Sequence, residues 1–254
     1  MISALSLFET SFDEAPRGLL ALQSIYDLIP VVLFLIGSIL LLRELYPKMV
    51  KGNYVLLGAG SIMVFAAGFF KALHKFLLAV ARIDYTILDK QFSTTQSVGF
   101  ALLAIALVGM FTPYNRNHLP SKSEDTKLHA VAFPLLLLFP LLSAEATNGS
   151  SSDIKEYTST MPFIVLMVLG ASVFLAMLIV ISAKMHRPLE IVLFSLAIVF
   201  MVGMGYLSSK RSFEGAWIQI SCNVCYQLCF FLGCFFLKKH GLSNLNLEKR
   251  TKPK

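Results

Sequence analysis

The sequence predicts an all-α integral membrane protein, a bundle of seven transmembrane helices with its N-terminus outside and its C-terminus in the cytoplasm. Hydrophobic residues make up 56% of the chain and charged residues only 15%, whereas soluble domains carry about 25% charged residues. The apolar residues also fall in runs of the length that a helix needs to cross a bilayer. Finally, Lys and Arg are concentrated in alternate segments between these runs, as membrane topology requires.

Seven apolar segments follow one another along the chain. A crossing helix needs roughly 20 apolar residues at 1.5 Å each, and six segments meet this length. The fourth is short and contains Pro134 and Pro140, which kink a helix but are tolerated where neighbouring helices satisfy the freed carbonyl groups. The segments cover residues 18–45, 54 to at least 70, 92–112, 128–144, 161–183, 188–207 and 216–237.

The distribution of basic residues predicts the orientation. With the N-terminus outside, the segments on the cytoplasmic side carry fourteen Lys and Arg residues and those on the outer side carry six, which agrees with the positive-inside rule. The chain then divides into an outer segment (1–17), a seven-helix domain (18–237) and a basic cytoplasmic tail (238–254). If the fourth apolar segment did not cross the membrane, the basic tail would lie outside, which the positive-inside rule disfavours.

Composition and motifs also favour or exclude classes of partner. The basic residues flank apolar segments, so the net charge of +7 indicates a lipid bilayer and not nucleic acid as the partner. No metal or cofactor is predicted, because the histidines lack metal-ligand spacing and the four cysteines, all in the seventh segment, suit small apolar positions. The expected location is a plasma or inner membrane, or an endomembrane in a eukaryote. A homo-oligomer or a protein partner is compatible with the sequence.

Three basic residues near the end of the second segment are the most informative feature. Lys71, His74 and Lys75 are spaced i, i+3 and i+4, so they share one helical face. If the second helix continues to about Arg82, these residues lie within the outer part of the membrane, where ionisable groups mark functional sites. Alternatively, the span ends near residue 70, and residues 71–87 form an amphipathic helix on the outer surface.

Asp27 is the second anomaly, because it lies within the first apolar run. An isolated carboxylate in that position tends to bind a proton or a cation. One hypothesis is that Asp27 pairs with Lys71, His74 or Lys75 and lines an outward-facing polar pocket. The alternative places Asp27 in the first turn of its helix, where a negative charge is favourable at the helix N-terminus.

Further polar residues occur at the same predicted depth. The third segment begins with polar residues around Gln96, and Gln219, Asn223 and Gln227 form a stripe along the seventh. Such side chains bond across helices or form the wall of a polar pocket. The predicted ligand-binding residues are Asp27, Lys71, His74, Lys75, Gln96, Gln219 and Asn223.

These features predict a carrier or channel for a small polar or anionic solute. An alternative is a seven-helix sensor or receptor that binds a ligand in the same pocket and signals through a partner protein. A third is a membrane-embedded enzyme acting on lipid headgroups, with His74 as acid or base. The absence of a second catalytic group near His74 makes an enzyme the least favoured of the three, and no catalytic residue is assigned.

Overall fold

The computed structural model describes residues 17–83, 86–112, 153–208 and 213–242. In these ranges the chain forms six α-helices and a short 3₁₀ helix, Tyr46–Lys48, and contains no strand. The 3₁₀ helix joins the first two α-helices. The α-helices are α1 Arg17–Leu45, α2 Lys51–Ala81, α3 Thr86–Met110, α4 Asp153–Lys184, α5 Pro188–Ser208 and α6 Phe213–Lys239.

Five of these helices are long and apolar enough to cross a membrane. In α5 the apolar stretch Pro188–Met204 is shorter. The all-helical architecture is thus confirmed, while the predicted fourth segment, residues 128–144, lies outside the described residues. The stretches of membrane-spanning length are Ala21–Lys48, Lys51–Ala81, Gln91–Met110, Phe163–Lys184 and Trp217–Lys239.

The outer surface of the bundle is apolar. Aliphatic side chains such as Val199, Val202 and Leu169 are 58–63% exposed on its outside. Glutamines and serines, in contrast, are buried in its interior, with Gln23 at 1% and Ser182 at 0% exposure. A large exposed apolar surface with polar groups facing inward is the distribution expected of a bundle surrounded by lipid.

Helix α2 continues without a break through the three basic residues and ends at Ala81. Arg82 caps it in the left-handed conformation, at φ 54°, and donates its N–H to the Leu77 carbonyl oxygen. The interpretation of residues 71–87 as a separate surface helix is therefore wrong. The basic residues do not interrupt the helix, because at least two of them reach groups on neighbouring helices.

Helix α1 begins at Arg17, which places Asp27 ten residues inside it. The interpretation of Asp27 as a first-turn residue is therefore also wrong, since the favourable dipole interaction acts only near a helix terminus. Pro30 lies three residues further on, inside the same helix.

Each helix packs on the next in chain order, and α6 packs on α1, so the six helices form a closed ring. Most neighbours are antiparallel, but two pairs are parallel. In the pair α1 and α6, Tyr26 contacts Trp217 and, further along both helices, Phe34 contacts Phe230.

Helices α3 and α4 form the second parallel pair. Gly170 of α4 lies against the backbone of Phe100, and Lys184, at the end of α4, lies 4.4 Å from the ring of Phe111, just after α3. The end of α3 and the start of α4 therefore lie at opposite ends of the bundle. We name the two ends after residues that lie there: the Asp27 end, where α1, α3, α4 and α6 begin, and the His240 end, where they finish.

Five phenylalanines fill the middle of the bundle and form what we term the phenylalanine layer. Phe34 stacks on Phe230 at 5.5 Å between ring centroids and meets Phe100 edge-on at 6.2 Å. Phe174 contacts Phe230 from α4 at 5.7 Å, and Phe194 of α5 lies against Gly233 of α6. All five rings are at most 2% exposed, so this layer lies in the buried core of the described helices, between the Asp27 end and the His240 end.

Replacement of Phe230 by alanine is expected to destabilise the fold by about 3–5 kcal/mol, because it leaves a cavity between the rings of Phe34 and Phe174. Phe235 provides a matched control five residues along the same helix, since its ring is 44% exposed on the outer surface. Denaturant unfolding of the purified protein in detergent measures both variants. Equal losses for Phe230→Ala and Phe235→Ala would show that the layer is not the core of the bundle.

Candidate functional site

An ion pair inside the Asp27 end is the centre of the candidate site. Lys75 Nζ donates to Asp27 Oδ2 at 2.5 Å, joining α2 to α1. The two side chains are 26% and 13% exposed, respectively, so the pair is largely removed from solvent. The structure thus pairs Asp27 with one of the three basic residues with which the sequence could pair it. Charges in such a position are costly unless they are paired, which explains why Lys75 and Asp27 meet.

Lys71 lies one helical turn before Lys75 on α2 and is therefore further from the Asp27 end of that helix. Its ammonium group lies 4.0 Å from the centre of the Phe92 ring on α3, a favourable cation–π arrangement. Phe92 precedes Gln96 by four residues, so the Lys71 ammonium lies about one helical turn from Gln96 along α3. His74, partly buried, lies between the two lysines on α2.

The described side chains that meet here carry an excess of positive charge. Asp27 contributes one carboxylate, whereas Lys71 and Lys75 contribute two ammonium groups. Because the pair is largely removed from solvent, these charges are less screened than charges in water would be.

Amide side chains lie directly above the phenylalanine layer on the side of the Asp27 end. Gln96 precedes Phe100 by four residues on α3, and Gln227 precedes Phe230 by three on α6, so each lies one turn above a ring of the layer. On α1, Gln23 lies one turn beyond Asp27. Gln23 and Gln227 are only 1% and 5% exposed.

Each of these three amides has a buried atom without a hydrogen-bond partner among the described residues. The atoms are Gln23 Nε2, Gln96 Oε1 and Gln227 Oε1. A buried polar atom left unsatisfied costs about 1–3 kcal/mol. Each of these atoms is therefore a candidate contact for a water molecule or a polar ligand.

All seven residues predicted as ligand-binding lie at the Asp27 end. Asp27 contacts Lys75 directly. Lys71 contacts Phe92, which lies one turn before Gln96 on α3. Gln219 and Asn223 are partly buried on the same side of α6 as Gln227 and continue its stripe toward the helix start. The sequence prediction missed Gln23, although its spacing of four residues from Asp27 could have indicated a shared face.

A second polar contact, at the His240 end, was not anticipated from the sequence. Glu190, in the first turn of α5, is 1% exposed, and its Oε1 lies 2.6 Å from His240 Nδ1 just after α6. The ring of His240 stacks on Phe236. This contact ties the start of α5 to the end of α6. A lone carboxylate in an apolar segment was its only sequence signal.

Among the residues that the structure describes, no group of three or more His, Cys, Asp or Glu side chains is placed to hold a metal ion. The four cysteines of α6 are free thiols, with Cys234 buried in the core.

The fold and the site together define a class: an all-helical protein with several apolar helices of membrane-spanning length, which indicates a multi-pass membrane protein. No family model, no curated protein and no solved structure matches the chain.

Proposed function

We propose that this protein crosses the bilayer seven times and is a carrier for a small polar or anionic solute, which it takes up at the Asp27 end. The observation that carries the proposal is the Asp27–Lys75 pair, with Lys71 beside it, inside a bundle whose outer surface is apolar. Ionisable groups within membrane helices are costly and serve mainly in ligand and ion pathways. The two lysines and one carboxylate favour an anion over a cation.

The parallel packing of α3 and α4 supports the count of seven crossings. Two consecutive membrane helices that run in the same direction require the chain between them to return across the membrane. Residues 113–152 form that connection, and they include the apolar segment 128–144. The parallel packing of α1 and α6 agrees, because it requires an odd number of crossings from the first helix to the last.

The charges at the two ends support an outward-facing Asp27 end. The His240 end carries seven basic residues: Arg43, Lys48, Lys51, Lys184, Arg187, Lys238 and Lys239. At the Asp27 end the described helices and the residue after α2 carry four such residues, Arg17, Arg82, Lys90 and Lys155, besides Lys71 and Lys75, which face neighbouring helices. An excess of Lys and Arg is typical of the cytoplasmic side. The proposed location is a plasma or inner membrane, or an endomembrane in a eukaryote.

Thiol labelling is expected to place Thr112 and Asp153 on opposite sides of the membrane. In a background without the four native cysteines, a single cysteine at 153 or 82 should react with an impermeant reagent from one side. A cysteine at 112 or 239 should react only from the other side. Labelling of 112 and 153 from the same side would contradict seven crossings.

The phenylalanine layer has a defined part in the carrier mechanism. A solute held between Lys71 and Gln96 lies above the closed rings of Phe34, Phe100 and Phe230. Release at the His240 end requires these rings to separate, as in an alternating-access cycle. The observed arrangement then corresponds to a state that is closed toward the His240 end.

The same closed layer favours a second candidate, a sensor that binds its ligand at the Asp27 end and passes it no further. Such a protein would signal through a partner protein. Flux separates the two candidates, because a sensor binds the solute but does not move it across the bilayer.

The experiment is solute uptake by liposomes that contain only this protein. We expect uptake of at least one of the probes acetate, lactate, sulfate and phosphate to exceed that of protein-free liposomes at least tenfold. Binding of a probe without uptake would contradict the carrier function and favour the sensor function. Neither binding nor uptake of any probe would contradict both candidates.

A further inference from the structure

The six described α-helices contain the same arrangement twice. Helices α1, α2 and α3 follow one another around the ring, and α4, α5 and α6 do so on the other side. In each set the first and third helices begin at the Asp27 end and the second begins at the His240 end. We term α1–α3, with their connections, the first unit and α4–α6 the second unit.

A two-fold rotation about the axis of the bundle relates the two units. It moves every helix halfway around the ring and keeps its direction, so it brings α1 to the place of α4, α2 to that of α5 and α3 to that of α6. The two parallel contacts, α3 with α4 and α6 with α1, are equivalent under this rotation. An axis along the membrane normal is typical of carriers built from parallel repeats.

Glycine contacts at the two parallel interfaces also correspond. A Cβ at Gly37 of α1 would lie 2.8 Å from Cε1 of Phe230 on α6. A Cβ at Gly170 of α4 would lie 2.9 Å from the carbonyl carbon of Phe100 on α3. The first helix of each unit therefore places a glycine against a phenylalanine on the third helix of the other unit. Small residues at such contacts let helices approach closely.

The same two phenylalanines have equivalent contacts within their own units. Phe100 meets the ring of Phe34 on α1 at 6.2 Å between centroids, and Phe230 meets the ring of Phe174 on α4 at 5.7 Å. In both units, therefore, one ring of the third helix packs on a ring of the first. The correspondence between the units extends from the order of the helices to these side chains.

A polar contact holds helices together inside each unit. The Asp27–Lys75 pair joins α1 to α2 in the first unit, and the contact of Glu190 with His240 joins α5 to the end of α6 in the second. Neither contact crosses the boundary between the units. Movement at this boundary therefore leaves both contacts intact.

We propose that the two units rock against each other as rigid bodies and open the two ends of the bundle in turn. The moving surfaces are the interfaces of α1 with α6 and of α3 with α4. The stack of Phe34 on Phe230 crosses the first of these, so rocking can separate rings of the phenylalanine layer. The inference rests on the proposed function, for which it names the conformational change, while the motion itself can be measured without a solute.

One contact at each end crosses the boundary and reports on the motion. At the Asp27 end, Tyr26 of α1 contacts Trp217 of α6 at 6.0 Å between ring centroids, and Trp217 is the only tryptophan in the sequence. At the His240 end, the Lys184 ammonium lies 4.4 Å from the centre of the Phe111 ring. A rocking motion that keeps one of these contacts breaks the other.

The test fixes the His240 end and measures the exposure of Trp217 at the opposite end. In the full chain without its native cysteines, in lipid nanodiscs, Phe111→Cys and Lys184→Cys are joined by a reducible thiol cross-linker. We expect the constant for quenching of Trp217 fluorescence by acrylamide to rise at least twofold, because closure of one end favours opening of the other. Reduction should reverse the rise. In liposomes, the cross-link should lower anion uptake at least tenfold.

Tyr46→Cys with Tyr54→Cys is the matched control. These two rings are 5.0 Å apart between centroids at the same end, but both lie in the first unit. Their cross-link should leave quenching unchanged and uptake within twofold. Quenching that does not rise with the 111–184 cross-link, or that rises equally with both, would overturn the two-unit motion. A rise with the 111–184 cross-link alone, in a protein that takes up no probe even without a cross-link, would contradict the carrier and support the motion.

Discussion

Replacement of Lys75 by glutamine is expected to reduce anion uptake at least tenfold. The substitution removes one of the two cationic groups that hold the anion and leaves the Asp27 carboxylate, only 13% exposed, without its partner. Both effects disfavour an anion at this place, since a nearby unpaired carboxylate repels it. Uptake by reconstituted liposomes measures the change.

A double substitution separates the loss of the cation from the effect of the unpaired carboxylate. Lys75→Gln combined with Asp27→Asn removes both charges, so its thermal stability should exceed that of Lys75→Gln alone, while uptake stays low. The charge-swapped variant, Asp27→Lys with Lys75→Asp, keeps both the pair and the positive excess and should recover part of the uptake. Failure of the swap to restore anything that either single change loses would contradict the pairing.

Arg82→Gln is the control for these charge variants. Arg82 lies at the same end, but it is exposed, so its charge is screened by solvent. Its loss should change uptake less than twofold. A loss as large as that of Lys75→Gln would show that the general charge of this end, and not the site inside the bundle, attracts the anion.

Replacement of Gly60 by alanine is expected to destabilise the bundle by about 1–3 kcal/mol, the typical cost of overpacking a well-packed core. A Cβ at this position would lie 2.7 Å from the Gly99 carbonyl oxygen and 3.0 Å from the Leu103 amide nitrogen. Both are backbone atoms, so α2 and α3 must move apart. Because Lys71 contacts Phe92 across the same interface, anion binding should weaken as well.

Gly203→Ala is the matched control, since Gly203 is also inside a helix but a Cβ there meets nothing within 4 Å. It should stabilise α5 slightly, by about 0.5–1 kcal/mol, because alanine loses less conformational freedom in a helix. Midpoints of denaturant unfolding in detergent compare the variants. A neutral Gly60→Ala would mean that α2 and α3 are further apart than the structure has them.

The helices themselves could be predicted from the sequence, because apolar length alone determines which segments suit a bilayer. All six described helices overlap predicted segments. The end of α2 could not be predicted: Lys71, His74 and Lys75 look like a polar face when α2 is considered alone. Only the packing of α1 and α3 against α2 shows that Lys75 pairs with Asp27 and that Lys71 contacts the Phe92 ring.

The contacts within the candidate site also depend on how the helices pack, so the sequence alone could not predict them. Asp27 and Lys75 are 48 residues apart, and their pairing depends on the register of α1 against α2, which composition does not encode. Gln23 and Glu190 were missed for a related reason, since a single polar residue in an apolar run becomes informative only when its burial is known. The spacing of Gln219, Asn223 and Gln227 did predict that these residues share one stripe of a helix, and α6 runs without a break through all three.

The most direct test of a polar site inside the Asp27 end is thiol accessibility on α6. Single cysteines at 223 and 218 are compared in a background without native cysteines, with an impermeant reagent added from the Asp27 side, with and without lactate. Position 223 lies on the stripe of Gln227, whereas Ile218 is 51% exposed on the outer surface. We predict fast labelling at 223 that the added anion slows at least fivefold, and slow labelling at 218 that it does not change. Similar rates at both positions, with no effect of the anion, would contradict the site.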